Sequence, residues 1–440
     1  MDISKKTKLK PTIGLEIHIE LRTKSKMFCA CSADHFGKKA NSLTCPVCLG
    51  LPGALPVPNK KAIEWTILFG KALNSRINHY SKFDRKHYFY PDLPKGYQIS
   101  QYDIPFCEGG YVKVGDKNIN ITRVHLEEDT GKLQHKKIKD KEVSLVDFNR
   151  SGVPLMEIVT EPDIESADQA KQFAKKIRRI ARYLDISDCD MEKGSMRLEA
   201  NVSWGIDLGY KVEVKNLNSF NYLKKAIEYE LERQNKLIAK GEMPIQETRG
   251  WDENKNITVS QRVKETSADY RYFPEPDIPP IHFTKTYIEE LSAKMPNLPD
   301  DYENILIEFN VPEQFIDIIL EDIHLAEYTI KEIKYSKKQN EKLSPQVIVE
   351  EIINKKLQPQ KAIVGKVTKD ILSKKQSIIK NEGELEDLVE KAIQQNKKAV
   401  SDYKSGKIQA ISALMGTVMA ISKGKADPKK TIQLLKDRLK

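Results

Sequence analysis

From Thr12 to Leu21 the chain alternates without a break. Ile13, Leu15, Ile17, Ile19 and Leu21 fall on one parity, and Glu16, His18 and Glu20 on the other. A period of two is the geometry of a β-strand, whose side chains point to opposite faces at every step. The segment is therefore expected to be a strand with one apolar face and a second face bearing a carboxylate, an imidazole and a carboxylate. Oxygen and nitrogen donors in that arrangement suit a hard cation, whereas a solvated sheet face is the bland reading of any single such strand.

The pattern recurs. Arg123, His125, Glu127 and Asp129 share one parity, with Val124 and Leu126 on the other, and Glu128 joins the apolar side unless a bulge turns it. Glu157 sits within the otherwise apolar parity of Val153, Leu155 and Val159, and Arg197, Glu199, Asn201 and Ser203 oppose Leu198, Ala200 and Val202. If these strands are neighbours, they build a concave sheet lined by Glu16, His18, Glu127 or Glu128, Glu157 and Glu199, with Arg123, Arg197 and Lys215 among them. Carboxylates so close repel one another unless divalent ions offset their charge, and the arginines then meet phosphate oxygens. Magnesium with a nucleoside triphosphate satisfies both halves.

No G-x-x-x-x-G-K-[ST] loop, G-x-G-x-x-G fingerprint, G-x-S-x-G elbow or kinase signature occurs in the sequence. Any use of ATP is thus expected on a sheet surface through metal ions.

Cys29, Cys31, Cys45 and Cys48 form two close pairs separated by thirteen residues. Each pair supplies two thiolates from one knuckle, and four sulfur ligands leave a zinc ion no open position, so the spacing predicts structural rather than catalytic zinc. Cys107 and Cys189 stand alone. The 440 residues allow two to four domains. Residues 1 to about 295 are rich in strands and in Gly and Pro turns, with a zinc-binding insert at 28–49. Within them a helix is expected after the Ser166–Gln169 capping box, with Ala170, Phe173, Ala174, Ile177, Ala181 and Leu184 on its apolar face, and a second over 222–239. Beyond Pro299 the composition turns helical, with domains expected at 296–373 and 374–440.

The net charge is +10, and the last fifty residues hold twelve Lys or Arg against three Asp, so nearly all the excess lies there. A basic terminal domain on a near-neutral body points to a nucleic-acid partner. No apolar stretch reaches bilayer length and no signal peptide is evident at the start, so a cytoplasmic protein is expected.

Seven stretches carry a family resemblance: I-G-L-E-I-H-I-E-L (Ile13–Leu21), C-P-V-C-L-G-L-P-G-A-L-P-V (Cys45–Val57), F-D-R-K-H-Y-F-Y-P-D-L-P-K-G-Y-Q-I-S-Q (Phe83–Gln101), R-V-H-L-E-E-D-T-G-K (Arg123–Lys132), N-R-S-G-V-P-L-M-E-I-V-T-E-P-D (Asn149–Asp163), V-K-N-L-N-S-F (Val214–Phe220) and D-Y-R-Y-F-P-E-P-D (Asp269–Asp277). With them the chain resembles GatB, the B component of the tRNA-dependent amidotransferases, and Asp402–Lys407 and Gly416–Pro428 are similar to that family's YqeY-like tail.

The resemblance implies an α+β fold, in which a mostly antiparallel, glutamine-synthetase-like cradle precedes an all-helical C-terminal region whose tail binds tRNA. It implies ATP- and Mg²⁺-dependent phosphorylation of the side-chain carboxylate of misacylated Glu-tRNA(Gln), Asp-tRNA(Asn) or both. Ammonia from a GatA-like glutaminase then displaces the phosphate, within a heterotrimer completed by a small GatC-like protein. The family's metal positions fall on Glu16, His18, Glu128, Glu157 and Glu199, whereas alternation favours Glu127, and both are carried. Arg123, Lys132, Arg197 and Lys215 are expected at substrate or ATP, and Lys86 and Lys95 at the ammonia passage. The chain departs from the family pattern in having Glu at 199 where Asp is expected, in its four-cysteine set, and in a short middle helical region without an Asn-Trp segment. The rival reading is a non-catalytic, zinc-stabilised tRNA-binding protein.

Overall fold

The computed structural model describes residues 10–204, 209–263, 270–339, 343–379 and 381–439. The lysine-rich start before Lys10, Asp269 of the Asp269–Asp277 motif and Lys440 of the basic tail lie outside them. The chain divides into two compact units, Met1–Asp301 and Tyr302–Lys440.

The first unit is built on a ten-stranded sheet. Its elements, in chain order, are β1 (Pro11–Glu20), α1 (Lys60–Ala72), β2 (Asp84–His87), β3 (Tyr97–Ser100), β4 (Lys117–Glu128), β5 (Lys132–Ile138), β6 (Lys141–Asp147), β7 (Pro154–Thr160), α2 (Ala167–Tyr183), β8 (Met196–Trp204), β9 (Val212–Lys215), α3 (Phe220–Ala239), β10 (Glu247–Asp252) and β11 (Ile257–Val263). The sheet runs β11-β10-β9-β8-β1-β7-β4 and continues through short strands at Cys107–Glu108 and Arg76–Ile77, while Tyr111–Val114 pairs β4 off this path. The β9–β10 pair is parallel; the other pairings are antiparallel. The unit is thus α+β and mostly antiparallel.

Alternation decides which side of β1 is buried. Ile13, Leu15, Ile17 and Ile19 are no more than 1% exposed and share one apolar cluster with α1, α2 and α3. Helix α2 starts where expected, with Ser166 Oγ accepting from Gln169 N at 3.2 Å, and it buries Ala170, Phe173, Ala174 and Ile177 in the same cluster. Ser219 caps α3, which begins two residues before the expected position. With helices on the apolar side, Glu16 and His18 face away from the core.

In the second unit the described elements are helical. On α4 (Ile323–Lys338) the buried Glu332 accepts from Gly365 N and Thr368 N, at 2.6 and 2.7 Å, at the start of α5 (Lys366–Gln376). A carboxylate there satisfies amide donors that a helix's first turn leaves free. The expected 373/374 boundary falls inside α5. Helices α6 (Glu382–Gln395), α7 (Ile411–Ile421) and α8 (Pro428–Leu439) share a separate apolar cluster around Leu385, Val389, Leu414, Val418 and Leu435. No helix among the described residues is long and apolar enough to cross a membrane.

Candidate active site

Strand register brings the scattered polar residues together. His18 lies opposite Arg197 of β8 and Glu157 of β7, and Glu157 in turn lies opposite His125 of β4. Glu16 lies opposite Glu199, and Asn201 opposite Glu213. Five adjacent strands therefore present one polar face, on the side of β1 away from the helices.

Two groups of ligand atoms stand on this face. His18, Glu127 and Glu157 each place one donor atom within 4.8 Å of the others', as do Glu16, Glu199 and Glu213. In the first group His18 Nε2 is 3.5 Å and His125 Nε2 3.2 Å from Glu157 Oε2, and Ser100 Oγ donates to Glu127 Oε2 at 2.9 Å. Arg123 Nε lies 3.3 Å from His125 Nδ1, which aims the other ring nitrogen at the carboxylates. In the second, Asn201 Nδ2 donates to Glu16 Oε1 at 2.8 Å, and Lys215 Nζ is 3.1 Å from Glu199 Oε2 and 3.7 Å from Glu213 Oε1. Asp129 anchors Arg197 at 2.7 Å beside the face.

The electrostatics are those of acids held together by the cations present. Burial alone would push the Glu157 carboxyl up, but His125 and His18 beside it hold it well below the usual carboxylate range. Burial works against the His18 imidazolium, yet Glu157, with Glu199 and Glu127, overcomes it and the ring is pushed up to about 9. Glu127, Tyr272 and Glu157 likewise outweigh burial at Lys86 and keep it a firm cation, its Nζ 5.1 Å from the Tyr270 ring. The sheet thus already collects positive charge where its carboxylates converge, as a cation site does.

Glu128 lies elsewhere. Its parity matches that of Val124 and Leu126, and its carboxylate takes Lys95 Nζ at 2.6 Å and Ile99 N at 3.0 Å. It borders a cavity of about 130 Å³ whose lining includes Cys29, Cys48, Gly50, Lys95 and Gly152. Geometry therefore groups Glu127, not Glu128, with His18 and Glu157, and separates the two lysines: Lys86 faces the acidic cluster, Lys95 faces Glu128. Lys132 opens β5 and is exposed.

The four cysteines meet as their spacing suggested. Ser25 and Ser32 bridge to close a turn around Cys29 and Cys31, while Cys45 N donates to Cys48 Sγ at 3.1 Å in a second knuckle. All four sulfurs lie within 4.8 Å of one another and all are free thiols. A tetrahedral zinc with bonds near 2.3 Å sets sulfurs about 3.8 Å apart, and Cys45 and Cys48 stand at 3.8 Å. The Cys48 thiol is pulled down to about 5 by its hydrogen bond with Cys29 despite burial, whereas the Cys31 thiol is pushed up to about 11, chiefly by burial. Lys26, 1% exposed, donates to the carbonyls of Leu43 and Phe148 and has no carboxylate partner among the described residues. A buried cation needs a counter-charge, and zinc held by four thiolates carries two negative charges.

Sequence reasoning missed Glu213, His125 as a bridge between Glu127 and Glu157, and Lys26. The alternation Val212, Glu213, Val214, Lys215 carried the signal for Glu213. Lys26 gave none, because only the fold buries it.

Residues 11–289 match the family model described as the GatB/GatE catalytic domain, and residues 313–439 match the one described as a GatB domain. The chain is similar to the B subunit of the aspartyl/glutamyl-tRNA(Asn/Gln) amidotransferase of Thermosipho melanesiensis, 44% identical over 474 residues covering 98% of this chain and 99% of the relative. The proteins of the same description from Thermotoga sp. (strain RQ2) and Caldanaerobacter subterraneus subsp. tengcongensis are 44% and 42% identical, over 477 and 479 residues, again 98% of this chain and 99% of each relative. These alignments exceed the 440 residues present here, so the relatives carry residues that this chain lacks.

Proposed function

This chain belongs to the GatB/GatE family, and from that premise we propose that it is the activating subunit of a glutamine-hydrolysing aminoacyl-tRNA amidotransferase. The observation that carries the reading is the polar sheet face, where two carboxylate groups converge beside Arg197, Lys215 and Lys86. A carboxylate on a tRNA is a poor electrophile. Transfer of the γ-phosphoryl group of ATP to its oxygen releases ADP and leaves an acyl phosphate; ammonia then attacks the acyl carbon and inorganic phosphate departs.

His18, Glu127 and Glu157, with Glu16, Glu199 and Glu213, would hold divalent cations, which supply charge neutralisation for triphosphate and substrate carboxylate together. Glu at 199 is one methylene longer than the Asp expected, and Lys215 draws its carboxylate to 3.1 Å. Arg123 and Arg197 would meet phosphate oxygens. Lys86 and Lys95 would lie along the ammonia route, Lys95 closing against Glu128 and Lys86 at the acidic face. Cys29, Cys31, Cys45 and Cys48 would hold structural zinc, with Lys26 offsetting its thiolate charge. A GatA-like glutaminase and a small GatC-like protein complete the complex, the 374–440 region binds Glu-tRNA(Gln), Asp-tRNA(Asn) or both, and the cytoplasm is the site of action.

A protein that only binds RNA would account for the cysteines and the basic tail. It gives no reason for acids converging on one sheet face. The test is Mg²⁺-dependent ADP formation by the assembled complex with charged tRNA. Activity there that falls on Glu16→Gln supports the reading, and ADP formation unchanged in that variant contradicts it.

A further inference from the structure

The strands that carry Glu127 and Glu157 do not stop at the candidate site. Beyond Glu128 and before Pro154, β4 and β7 continue as an irregular ladder, with Asp129 N donating to Val153 O at 2.8 Å and Gly152 N to Asp129 O at 2.9 Å. Arg150 stitches the next step by donating to the carbonyls of Thr130 and Gly131, each at 2.9 Å. The chain then enters the antiparallel pair β5–β6, paired from Lys132↔Asp147 to Ile138↔Lys141. One long hairpin thus has the acidic cluster near its foot and β5–β6 as its outer arm.

The base of the arm is fixed. Asn41 donates through its backbone N to Asp147 Oδ1 at 2.9 Å and through Nδ2 to Val146 O at 3.0 Å, and Asn149 Nδ2 donates to Lys39 O at 2.7 Å. Among the described residues nothing covers either face of the arm, and no residue of β5 or β6 is buried. A two-stranded hairpin without a covered face is marginal in water, so a partner surface is expected for it.

Register sorts the two faces by charge. On one, Lys137 pairs with Asp140 at 3.4 Å and stands opposite Glu142, and His135 Nδ1 meets Ser144 Oγ at 2.9 Å. On the other, Lys132, Lys136 and Lys141 have no carboxylate partner among the described residues, and Ile138 and Leu145, 46% and 42% exposed, lie between them. The acid of that face, Asp147, is occupied by the backbone N–H groups of Asn41 and Asn149. Lys139 at the tip is likewise without a carboxylate partner among the described residues.

We propose that this lysine-bearing face of β5–β6 docks the acceptor end of the substrate RNA and so delivers its charged terminus to the foot of the hairpin. The inference rests on the reading that the substrate is an aminoacyl-tRNA. Lysines are placed for backbone phosphates, and a shallow face with Ile138 and Leu145 fits the wide minor groove of an A-form stem, where ribose carbons and 2′-hydroxyls are displayed. Arm and site are continuous: Lys132 is five residues beyond Glu127 on the same chain segment, so RNA held along the arm ends beside the carboxylates.

The test uses the assembled complex carrying the triple variant Lys136→Ala, Lys139→Ala, Lys141→Ala, with an RNA minihelix of the acceptor stem as binding probe and full-length charged tRNA for kinetics. The expected result is minihelix binding weaker by roughly ten- to a hundredfold and a salt slope shallower by about 0.9 per lost phosphate contact, with KM for charged tRNA raised and kcat kept at saturation. Unchanged minihelix affinity and salt slope overturn the proposal. Loss of the partner subunits from the variant complex would overturn it in favour of a protein occupant. Aggregation of the variant with intact RNA binding would overturn it in favour of lysines that merely guard exposed strand edges. If the unmodified complex makes no amidated product yet the variant still loses minihelix binding, the docking face stands and the assigned reaction falls.

Discussion

Two sets of buried acids in the first unit show why burial alone does not mark a site. On α3, Glu230 is fully buried, and Arg233 Nη2, Gln234 Nε2 and Thr258 Oγ1 donate to it at 2.6, 2.9 and 2.9 Å. Arg249 and Glu247 extend the network at 2.8 Å. Its lone pairs are spent, so it ties α3 to β10 and β11 and has nothing left for a ligand. Glu157, across the sheet, is 6% exposed, and its partners among the described residues are the His18 and His125 imidazoles, while Glu16 accepts from the Asn201 amide. A carboxylate that accepts from a guanidinium, an amide and a hydroxyl at once is structural; one whose partners are titratable rings retains capacity for a metal ion.

That contrast predicts opposite phenotypes. Glu157→Gln keeps the shape and should lower amidated product by at least about a hundredfold, because the loss is of metal-borne charge, a loss of activity per folded molecule far beyond what the weakened pairing with His18 and His125 costs in stability. Glu230→Gln should cost about 3–5 kcal/mol of stability by stranding Arg233 and Arg249, with the folded fraction still active. Unfolding curves beside product assays check both, and a destabilised Glu157→Gln with normal activity per folded molecule would erase the distinction.

The cysteine knuckle extends the comparison to loops. Purified protein should carry about one zinc per chain, and Cys45→Ser should lower both metal content and thermal midpoint, whereas Cys107→Ser, buried against Gly70, should leave the metal in place. Equal metal content in the two variants would remove zinc from the account.

A smaller effect tests the imidazole. In metal-free protein the folded His18 titrates near 9 against an ordinary 6.5. Its pairing with Glu157 therefore stabilises fully below pH 6.5 and is lost as pH rises through about 9, a total on the order of 3 kcal/mol. Denaturant titrations without divalent ions should show stability falling across that window, and His18→Gln should flatten the fall.

How much of this was legible follows from which interactions are local. The face of β1, the cap and apolar stripe of α2 and the pairing of the cysteines are periodicities or spacings within twenty residues, and the chain displays them directly. That Glu16 neighbours Glu199 is a pairing across more than 180 residues, which alternation permits but cannot require. The choice between Glu127 and Glu128 turned on the same limit: parity placed Glu128 with Val124 and Leu126, but only the packed structure shows Lys95 and Ile99 N taking up its carboxylate. Arm β5–β6 went unread because its apolar and charged residues mix on one face, so its period carries no burial signal.

The central claim, that the polar sheet face binds divalent cations, is tested most directly by titrating the metal-free protein with Mn²⁺ and counting bound ions by electron paramagnetic resonance. The unmodified chain and Glu230→Gln should show the same saturable occupancy, and Glu157→Gln and Glu16→Gln should each lose it in part. Equal Mn²⁺ binding by all four proteins would contradict the assignment of this face as a metal site.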